Sequence, residues 1–198
     1  MKVLVCCLTY GNRPMDILRI NLEKAGYPFN VLFINVEGIA NALNEGIFNS
    51  DGYDAIAYLA NDIIEPDGWL QKKVSALQTY PNAGLVASSI DRIETQIRSQ
   101  HVISNWLISR ELIDKIGIFN ESMFPYGPID LDYCERANIA GFCTYYVIDC
   151  KAEHKVTENS NNEYGYSKYD MIQKYWKQHE ADVVQYRDGN KDIKHGKP

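Results

Sequence analysis

The sequence predicts an α/β domain with a mostly parallel central sheet flanked by helices, and three features of the chain indicate this class. Over the first half, short apolar runs rich in β-branched residues alternate with segments of helical periodicity. Turn clusters containing Gly and Pro separate these segments. The length of 198 residues and the hydrophobic content of 45% suit one domain with a substantial core. We therefore expect one domain over residues 1–185 and a frayed tail over residues 186–198.

Strands and helices alternate in the first half. Continuous apolar runs predict buried strands, and apolar residues spaced three or four apart predict helices. The strands are Val3–Leu8, Val31–Val36, Asp54–Leu59 and Gly84–Ser88, and the helices between them are Ile17–Ala25, Ile39–Phe48 and Gly68–Thr79. Because parallel strands with right-handed crossovers end at one edge of the sheet, ligands bind at that edge. Thr9, Asn35 and Asp62 fall at the ends of three of these strands.

The second half is less regular. A polar stretch over residues 89–101 predicts a loop or an edge hairpin. The Asn-, Ser-, Gly- and Tyr-rich stretch 158–166 predicts a mobile loop suited to closing over a bound ligand. The predicted strands are Asn105–Ser109 and Cys143–Ile148, and the predicted helices are Arg110–Ile116, Asp130–Ala140 and an exposed one at Asp170–His179.

Charge and cysteine content exclude several classes of function. The formal net charge is -6 and the pI is about 5.2, so we expect no nucleic-acid partner, because a polyanion would be repelled. The five cysteines are odd in number and form no C-x-x-C pair, which is typical of reduced thiols in a cytoplasmic protein. The sequence has no signal-peptide pattern and no apolar run of about 20 residues, so we expect no transmembrane segment.

The segment Ala60-Asn61-Asp62 follows the third predicted strand and precedes the helix start at Pro66–Leu70. A carboxylate at such a strand end is well placed to hold Mg²⁺ or Mn²⁺, because these cations prefer oxygen ligands and leave positions open for substrate phosphates. An alternative is that Asp62 only caps a turn.

A second acidic motif lies in Gly127–Gly141, where Asp130 and Asp132 open a predicted helix directly after a Gly-Pro turn. A carboxylate held there can act as a general base. The alternative is that Asp130 caps the helix N-terminus while Asp132 complements the helix dipole. The two roles of Asp130 are compatible with each other.

Together, these two motifs resemble the inverting family 2 glycosyltransferases of the GT-A fold, and the resemblance covers roughly Lys2–His154. The family's D-x-D or N-x-D motif corresponds to Ala60-Asn61-Asp62 and is matched at its last acid. The family's G-x-F-D-E and E-D-x-D-x-x-x-R…G motifs correspond to Gly117–Glu121 and Ile129–Gly141. The resemblance implies a single-domain GT-A fold, the fold of nucleotide-diphospho-sugar transferases.

The resemblance also implies catalytic and metal-binding roles. Asp62 would hold Mn²⁺ or Mg²⁺ on the donor diphosphate, and Asn61 would lie beside the nucleoside. Asp130 would take the proton from the acceptor hydroxyl while that oxygen attacks the anomeric carbon. His154 follows the last predicted strand, where a histidine completes the metal site in several members of the fold. A structural or merely exposed His154 is the alternative.

The rest of the donor site follows from the same resemblance. The segment Thr9-Tyr10-Gly11-Asn12-Arg13 resembles the T-x-N-R loop that cradles the nucleobase and ribose, so Thr9, Tyr10, Asn12 and Arg13 are donor-site candidates, with Arg13 directed at a phosphate. Asn35 stands after the second strand, where the family has an acid for uracil. Asn44 belongs to a helix that lies beside the donor in the family, where it would hydrogen-bond near the nucleotide or cap a loop. The alternative is an ordinary surface asparagine on a helix. The implied donor is a UDP-, GDP- or dTDP-sugar.

Aromatic residues are candidates for the acceptor site, because their faces suit the C–H groups of a sugar. The candidates are Trp69, Trp106, Tyr126 and Tyr133, and we favour Trp106 and Tyr126 because they flank the second acidic motif. Core packing is the alternative for each of them. Asp132 and Arg136 are expected to support the helix and the site.

These motifs predict a glycosyltransferase that acts on a glycan, a lipid-linked glycan or a protein acceptor. Two family acids are replaced, by Ala60 and Ile129. These replacements leave an alternative open, a non-catalytic GT-A-like protein that binds a nucleotide-sugar or glycan. A nucleotidyltransferase ranks lower, because the loop after the first strand lacks the Gly-rich, basic character that such enzymes carry.

Overall fold

The structure is a computed structural model that describes residues 1–10, 15–90, 98–99, 101–102, 105–155 and 167–196. The strands in these residues are β1 Val3–Leu8, β2 Asn30–Ile34, β3 Ala55–Leu59, β4 Ile63–Ile64, β5 Ala83–Ile90, β6 Arg98–Ser99, β7 Trp106–Ser109 and β8 Cys143–His154. The helices are α1 Asp16–Glu23, α2 Ile39–Phe48, α3 Trp69–Thr79, α4 Arg110–Ile116, α5 Ile129–Ile139 and α6 Lys168–Arg187, with a short 3₁₀ helix at Glu121–Met123.

All of these strands belong to one mixed sheet of order β2-β1-β3-β7-β5-β8-β4, with β6 paired to β8. β1 is parallel to β2 and β3, and β5 is parallel to β8. β7 lies antiparallel between β3 and β5, with Leu107 opposite Ala57 on one side and Val86 on the other. Five strands therefore point the same way, which confirms the mostly parallel sheet.

The core is divided between the two faces of the sheet. Alternate residues of each strand point to opposite faces, so in β1 Leu4 and Cys6 join one cluster while Val5 and Cys7 join the other. The first cluster packs under α2, α4 and α5, and the second packs under α1 and α3. Because both faces are covered, β1 and β3 are apolar at every position instead of alternating with polar residues.

Several predicted boundaries agree with the structure and others do not. The predicted strand Val3–Leu8 and helices Ile39–Phe48 and Arg110–Ile116 are confirmed residue for residue. β8 and α6 are longer than predicted, because polar residues continue the backbone pairing of β8 and the solvated face of α6. The predicted loop 158–166 and most of the predicted hairpin 89–101 lie outside the described residues.

The C-terminal segment is docked where we expected fraying. Tyr186 is 3% exposed, and its hydroxyl lies 2.9 Å from His195 Nε2. The His195 N–H donates to the Ile116 carbonyl at 3.0 Å, and the Ile118 N–H donates to the His195 carbonyl at 2.8 Å. Gly117 permits this approach, since a Cβ there would lie 2.0 Å from the His195 carbonyl oxygen. The frayed-tail prediction is therefore wrong for residues 186–196, because main-chain pairing with a distant segment leaves no local sequence signal.

A fully buried arginine joins α5 to this docked segment. Arg136 donates through Nε to Asp132 Oδ2 at 2.8 Å, and neither side chain is exposed. Its other nitrogens donate to the carbonyls of Ile116, Ile118 and Ile193 at 2.9–3.2 Å. A buried guanidinium needs such a complete set of acceptors. The pair therefore holds together α5, the segment after α4 and the C-terminal segment.

All five cysteines are buried as free thiols, and burial raises the pKa of Cys7 to about 12. Within the described ranges, no helix combines the length and the apolar character that a membrane span requires.

The docking of His195 predicts a loss of stability in mild acid. Burial, followed by the nearby Arg136 charge, lowers the pKa of His195 from 6.5 to about 4. The unfolded chain therefore binds the extra proton first, and the stabilisation is lost as the pH falls from about 6.5 towards 4. His195→Gln keeps an amide near the Tyr186 hydroxyl but does not titrate. In denaturant titrations at about pH 7.5 and about pH 5, the wild-type protein should lose more unfolding free energy than His195→Gln. Equal losses would contradict this account of the docked segment.

Candidate active site

A cavity of about 240 Å³ opens at the edge of the sheet where β1, β2 and β3 end. Residues that follow these strands form one side, and the start of α5 and the end of β8 form the other. The cavity brings together seven of the residues selected from the sequence, which are Tyr10, Asn61, Asp62, Trp106, Tyr126, Asp130 and His154. Ala60 and Ile129, which replace the two family acids, also line it.

One wall of the cavity is apolar. Leu8 and Ile34, at the ends of β1 and β2, line it together with Ile39 and Leu43 of α2. The Ile39 N–H donates to the Pro125 carbonyl at 3.1 Å, so the start of α2 is tied to the segment that leads to α5. Such a wall can accept the flat face of a ring while polar groups elsewhere in the cavity set its orientation.

Asp62 and His154 meet at the opposite end. Asp62 lies in the turn between β3 and β4, and β4 pairs antiparallel with the end of β8, placing Ile63 opposite His154. The Lys155 N–H donates to the Asp62 carbonyl at 2.7 Å and extends this pairing. As a result, His154 Nε2 lies 3.5 Å from Asp62 Oδ2. Strand pairing thus brings together two side chains that are far apart in the sequence.

The chemistry of this pair fits a hard divalent cation. A carboxylate oxygen and an imidazole nitrogen are both accepted by Mn²⁺, and two protein donors leave most of its positions open. No cluster of three His, Cys, Asp or Glu side chains suited to a metal occurs in the described part of the chain. The described residues that line the cavity include Asp62 and Asp130 but neither Lys nor Arg. A diphosphate there would therefore need a cation to offset the negative charge.

Asp130 occupies the first turn of α5 and lines the cavity. The helix begins at Ile129 after Pro128, so Asp130 is not the capping residue, although its Oδ1 accepts the Leu131 N–H at 3.0 Å. Burial raises the pKa of Asp130 above its usual value, opposed by backbone N–H groups and by the His101 charge. A carboxylate with a raised pKa is a stronger base, which suits proton abstraction from a hydroxyl.

Trp106 and Tyr126 line the cavity beside this motif, as favoured from the sequence. Trp106 is only 6% exposed and stacks on Phe119 with ring centroids 5.6 Å apart. Its indole N–H donates to the Val102 carbonyl at 3.1 Å. Trp106 is therefore a rigid wall that also belongs to the core.

Asn44 is buried and lies outside the cavity lining. Its Nδ2 donates to the Phe119 carbonyl at 3.1 Å and to Glu121 Oε1 at 2.8 Å, and its Oδ1 accepts the Phe119 N–H at 2.8 Å. Asn44 thus fastens α2 to the segment that precedes the second acidic motif. Asn44 therefore caps a loop that is distant from it in the sequence, which is one of the roles considered for it from the sequence.

The structure does not bring the remaining candidates to the cavity. Thr9 donates through Oγ1 to the Ile34 carbonyl at 2.9 Å and closes the β1–β2 edge, while Asn35 is exposed outside the lining. Trp69 is fully buried in the core beneath α3, and its indole N–H donates to the Asn21 carbonyl at 2.7 Å. Tyr133 is also fully buried and stacks on Phe119 with ring centroids 4.0 Å apart. The predictions for Trp69 and Tyr133 are thus corrected to core packing.

Asp132 and Arg136 act in the buried ion pair that holds the C-terminal segment, which agrees with a supporting role. Asn12 and Arg13 lie outside the described residues.

Asn105 is a lining residue that we did not select from the sequence. It immediately precedes β7 with a φ of 45°, and its Oδ1 accepts the Ala60 N–H at 2.8 Å. The sequence predicts only a strand start at this position. The one available signal is weak, namely that Asn tolerates the left-handed backbone region better than most residues.

Comparison with solved structures finds the same architecture in glycosyltransferases. The chain is similar to the mannosyltransferase PcManGT from Pyrobaculum calidifontis, in complex with GDP-Man and Mn²⁺, at a TM-score of 0.67 and 15% identity. This match covers 100% of the present chain and 66% of the mannosyltransferase chain. The present chain is also similar to GalNAc-T7 with UDP, GalNAc and Mn²⁺, at a TM-score of 0.60 and 9% identity. That match covers 95% of this chain and 50% of the GalNAc-T7 chain.

A third similar structure is the catalytic domain of Drosophila β1,4-galactosyltransferase 7 in complex with xylobiose, at a TM-score of 0.59 and 16% identity, covering 80% of this chain and 72% of that one. No protein-family model matches the sequence, and comparison with curated proteins finds no match. At these identities the likeness concerns the fold alone. The chain has the GT-A fold, which confirms the fold that the sequence resemblance implies.

The contacts of Asn44 predict a stability effect larger than that of an ordinary helix asparagine. Asn44→Ala removes the hydrogen bonds to the buried N–H and carbonyl of Phe119. The unfolding free energy should therefore fall by about 2–3 kcal/mol. Asn49 at the end of the same helix is a matched control, since its side chain bonds to the exposed Glu45. Asn49→Ala should cost under about 0.5 kcal/mol. Denaturant titration of both variants tests this, and similar losses would contradict it.

Proposed function

We propose that the protein is a glycosyltransferase that moves a sugar from a nucleotide-sugar to an acceptor hydroxyl with inversion, as in family 2. The observation that carries the proposal is the meeting of Asp62, His154 and Asp130 in one cavity at the ligand-binding edge of a GT-A sheet. These three residues supply a cation-binding end and a base within the same space.

The donor diphosphate would bind at the end formed by Asp62, His154 and Asn61. Asp62 and His154 would hold Mn²⁺ or Mg²⁺, which offsets the charge of the leaving diphosphate when bound. Asp62 and Asp130 both line the cavity, and the negative charge that they share with the diphosphate supports a requirement for the cation. Two similar structures carry Mn²⁺ together with GDP-Man or with UDP and GalNAc, which supports the same pairing of ligands here.

The nucleoside would lie against the apolar wall next to Tyr10. Leu8, Ile34 and Ile39 offer a flat apolar surface, and Tyr10 is 38% exposed at its margin. Asn12 and Arg13 follow Tyr10 in the sequence after Gly11 and are proposed to contact the ribose and a phosphate. A cavity of about 240 Å³ is smaller than the ~300–1,000 Å³ typical of ligand sites. We therefore propose that it encloses only part of a UDP-, GDP- or dTDP-sugar.

The acceptor would bind beside Asp130, with Trp106 and Tyr126 against its ring. Its hydroxyl oxygen attacks the anomeric carbon as the bond from that carbon to the diphosphate oxygen breaks, and the electron pair leaves with the diphosphate. Asp130 takes the hydroxyl proton. Because attack and departure occur on opposite faces, the configuration inverts. The raised pKa of Asp130 supports this role, and Ile129 gives the acceptor an apolar neighbour where the family has an acid.

The second candidate function is binding of a nucleotide-sugar or glycan without transfer. It is favoured by Ala60 and Ile129, which line the cavity at the positions of two family acids. This candidate shares the donor site with the first and differs only in lacking turnover.

Asp130→Asn separates the two candidates. The amide keeps the size of the side chain but cannot accept a proton, so nucleoside diphosphate release should fall by at least about 100-fold. Release would be assayed over UDP-, GDP- and dTDP-sugars with Mn²⁺ and mixed acceptors, and nucleotide affinity by calorimetry. Affinity should remain within about twofold, and Asp51→Asn, at an exposed surface acid, should match the wild type.

Three outcomes decide between the candidates. Wild-type release that depends on Asp130 supports transfer. Nucleotide binding without release by the wild type favours the binding protein. A wild type that neither binds nor releases nucleotide under any of these conditions contradicts both.

A further inference from the structure

A buried ion pair lies directly behind the turn that carries Asp62. Lys73 Nζ on α3 is 2.9 Å from Glu65 Oε1, and neither side chain is exposed. The other carboxylate oxygen of Glu65, Oε2, accepts a hydrogen bond from Ser88 Oγ at 2.5 Å and lies 3.7 Å from Cys150 Sγ. Removing two charges from water costs several kcal/mol per ion, so such a pair is a poor source of stability. Buried pairs of this kind instead restrict neighbouring groups to one arrangement when every hydrogen bond is made.

Asn105 is the residue that this pair restrains. Its Nδ2 donates to Glu65 Oε1 at 2.8 Å, and its carbonyl accepts Lys73 Nζ at 2.7 Å. The side chain and the main chain of Asn105 are therefore held by opposite members of the ion pair. These bonds favour its left-handed backbone, in which φ is 45°.

The side-chain oxygen of Asn105 bonds to the turn that carries Asp62. Oδ1 accepts the N–H of Ala60, two residues before Asp62, at 2.8 Å. Both polar side-chain atoms of Asn105 are thus engaged by the protein, Nδ2 by Glu65 and Oδ1 by the Ala60 N–H. Because the donor is the main-chain N–H of Ala60, this hydrogen bond does not depend on which side chain stands at position 60.

The far side of the same turn is held by a second buried asparagine. Asn21 donates through Nδ2 to the Ile63 carbonyl at 2.8 Å and accepts the Glu65 N–H through Oδ1 at 2.9 Å. The turn is thus fixed before and after Asp62. Glu65 is bonded to both asparagines, through its side chain to Asn105 and through its main-chain N–H to Asn21, and it therefore couples the two sides of the turn.

We infer that Asn105 is a positioning residue for the Asp62 carboxylate, acting through the Ala60 N–H and held by the Glu65–Lys73 ion pair. The inference rests on the proposed function in taking Asp62 as a cation ligand. Without the Asn105 side chain, the end of β3 loses its fixed hydrogen bond and the carboxylate samples several positions. A cation that depends on two protein donors should then bind more weakly.

The test compares Asn105→Gly with Asn82→Gly. Both asparagines have a positive φ, 45° and 53°, which glycine adopts without strain. Asn82 is exposed, and its carbonyl bond to the Cys143 N–H is a main-chain bond that glycine keeps. Mn²⁺ affinity is measured by the electron paramagnetic resonance signal of free Mn²⁺, in the presence of UDP and separately of GDP. Circular dichroism establishes that each variant is folded at the temperature used.

Asn105→Gly should raise the Mn²⁺ dissociation constant about tenfold or more, and Asn82→Gly should leave it within about twofold. A folded Asn105→Gly protein with unchanged affinity overturns the inference while leaving the proposed function intact. A wild type that binds no Mn²⁺ with either nucleotide removes the proposed cation site, and the inference with it. If Asn105→Gly does not fold, Ser88→Ala decides. That variant removes the Ser88 hydrogen bond to Glu65 without touching the turn, so a raised dissociation constant supports the inference and an unchanged one overturns it.

Discussion

The antiparallel insertion of β7 between β3 and β5 is the constraint on which the site depends. Because β7 runs against its neighbours, its first residues lie at the edge where β3 ends. Asn105 and Trp106 therefore stand beside Ala60 and help to form the cavity. Had β5 paired directly with β3, this edge would carry only residues that follow parallel strands. The insertion thus brings the second half of the chain into a site begun by the first half.

The other contributions of the second half are fixed by pairings of the same kind. β8 continues beyond its pairing with β5 to meet β4, which places His154 next to Asp62. α5 is held from two sides, by the Asp132–Arg136 pair on the C-terminal segment and by the Asn44 bonds to the segment that precedes it. Much of the buried polar chemistry outside the cavity therefore positions the elements that carry Asp62 and Asp130. This arrangement is what a preorganised site requires.

The sequence predicts the parts of this protein that depend on local pattern. The boundaries of α2 follow from its periodicity, and the sheet class follows from continuous apolar runs. The acids Asp62 and Asp130 were selected because each follows a recognisable turn or strand end, and both line one cavity. Asp62 lies where β3 ends, and the start of α5 brings Asp130 to the same cavity. The roles of both residues stay proposals.

The remaining features depend on contacts between distant segments, which leave little local signal. Trp69 has the same aromatic character as Trp106, but it opens a helix on the opposite face of the sheet and packs in the core. The C-terminal segment around His195 and the side chain of Asn105 are both held by hydrogen bonds to main-chain atoms, and any residue can supply those atoms. For the same reason, Asn44 could be placed on its helix but not assigned its partners, Phe119 and Glu121.

The central claim is that the Asp62–His154 end and Asp130 belong to one donor-and-acceptor site. The most direct measurement is anomalous diffraction at the manganese edge from crystals soaked with Mn²⁺ and UDP or GDP. We expect one Mn²⁺ peak bound by both Asp62 and His154, with the diphosphate on the same ion and directed into the cavity lined by Asp130. Nucleotide density elsewhere on the protein, or a Mn²⁺ peak that contacts neither residue, would contradict it.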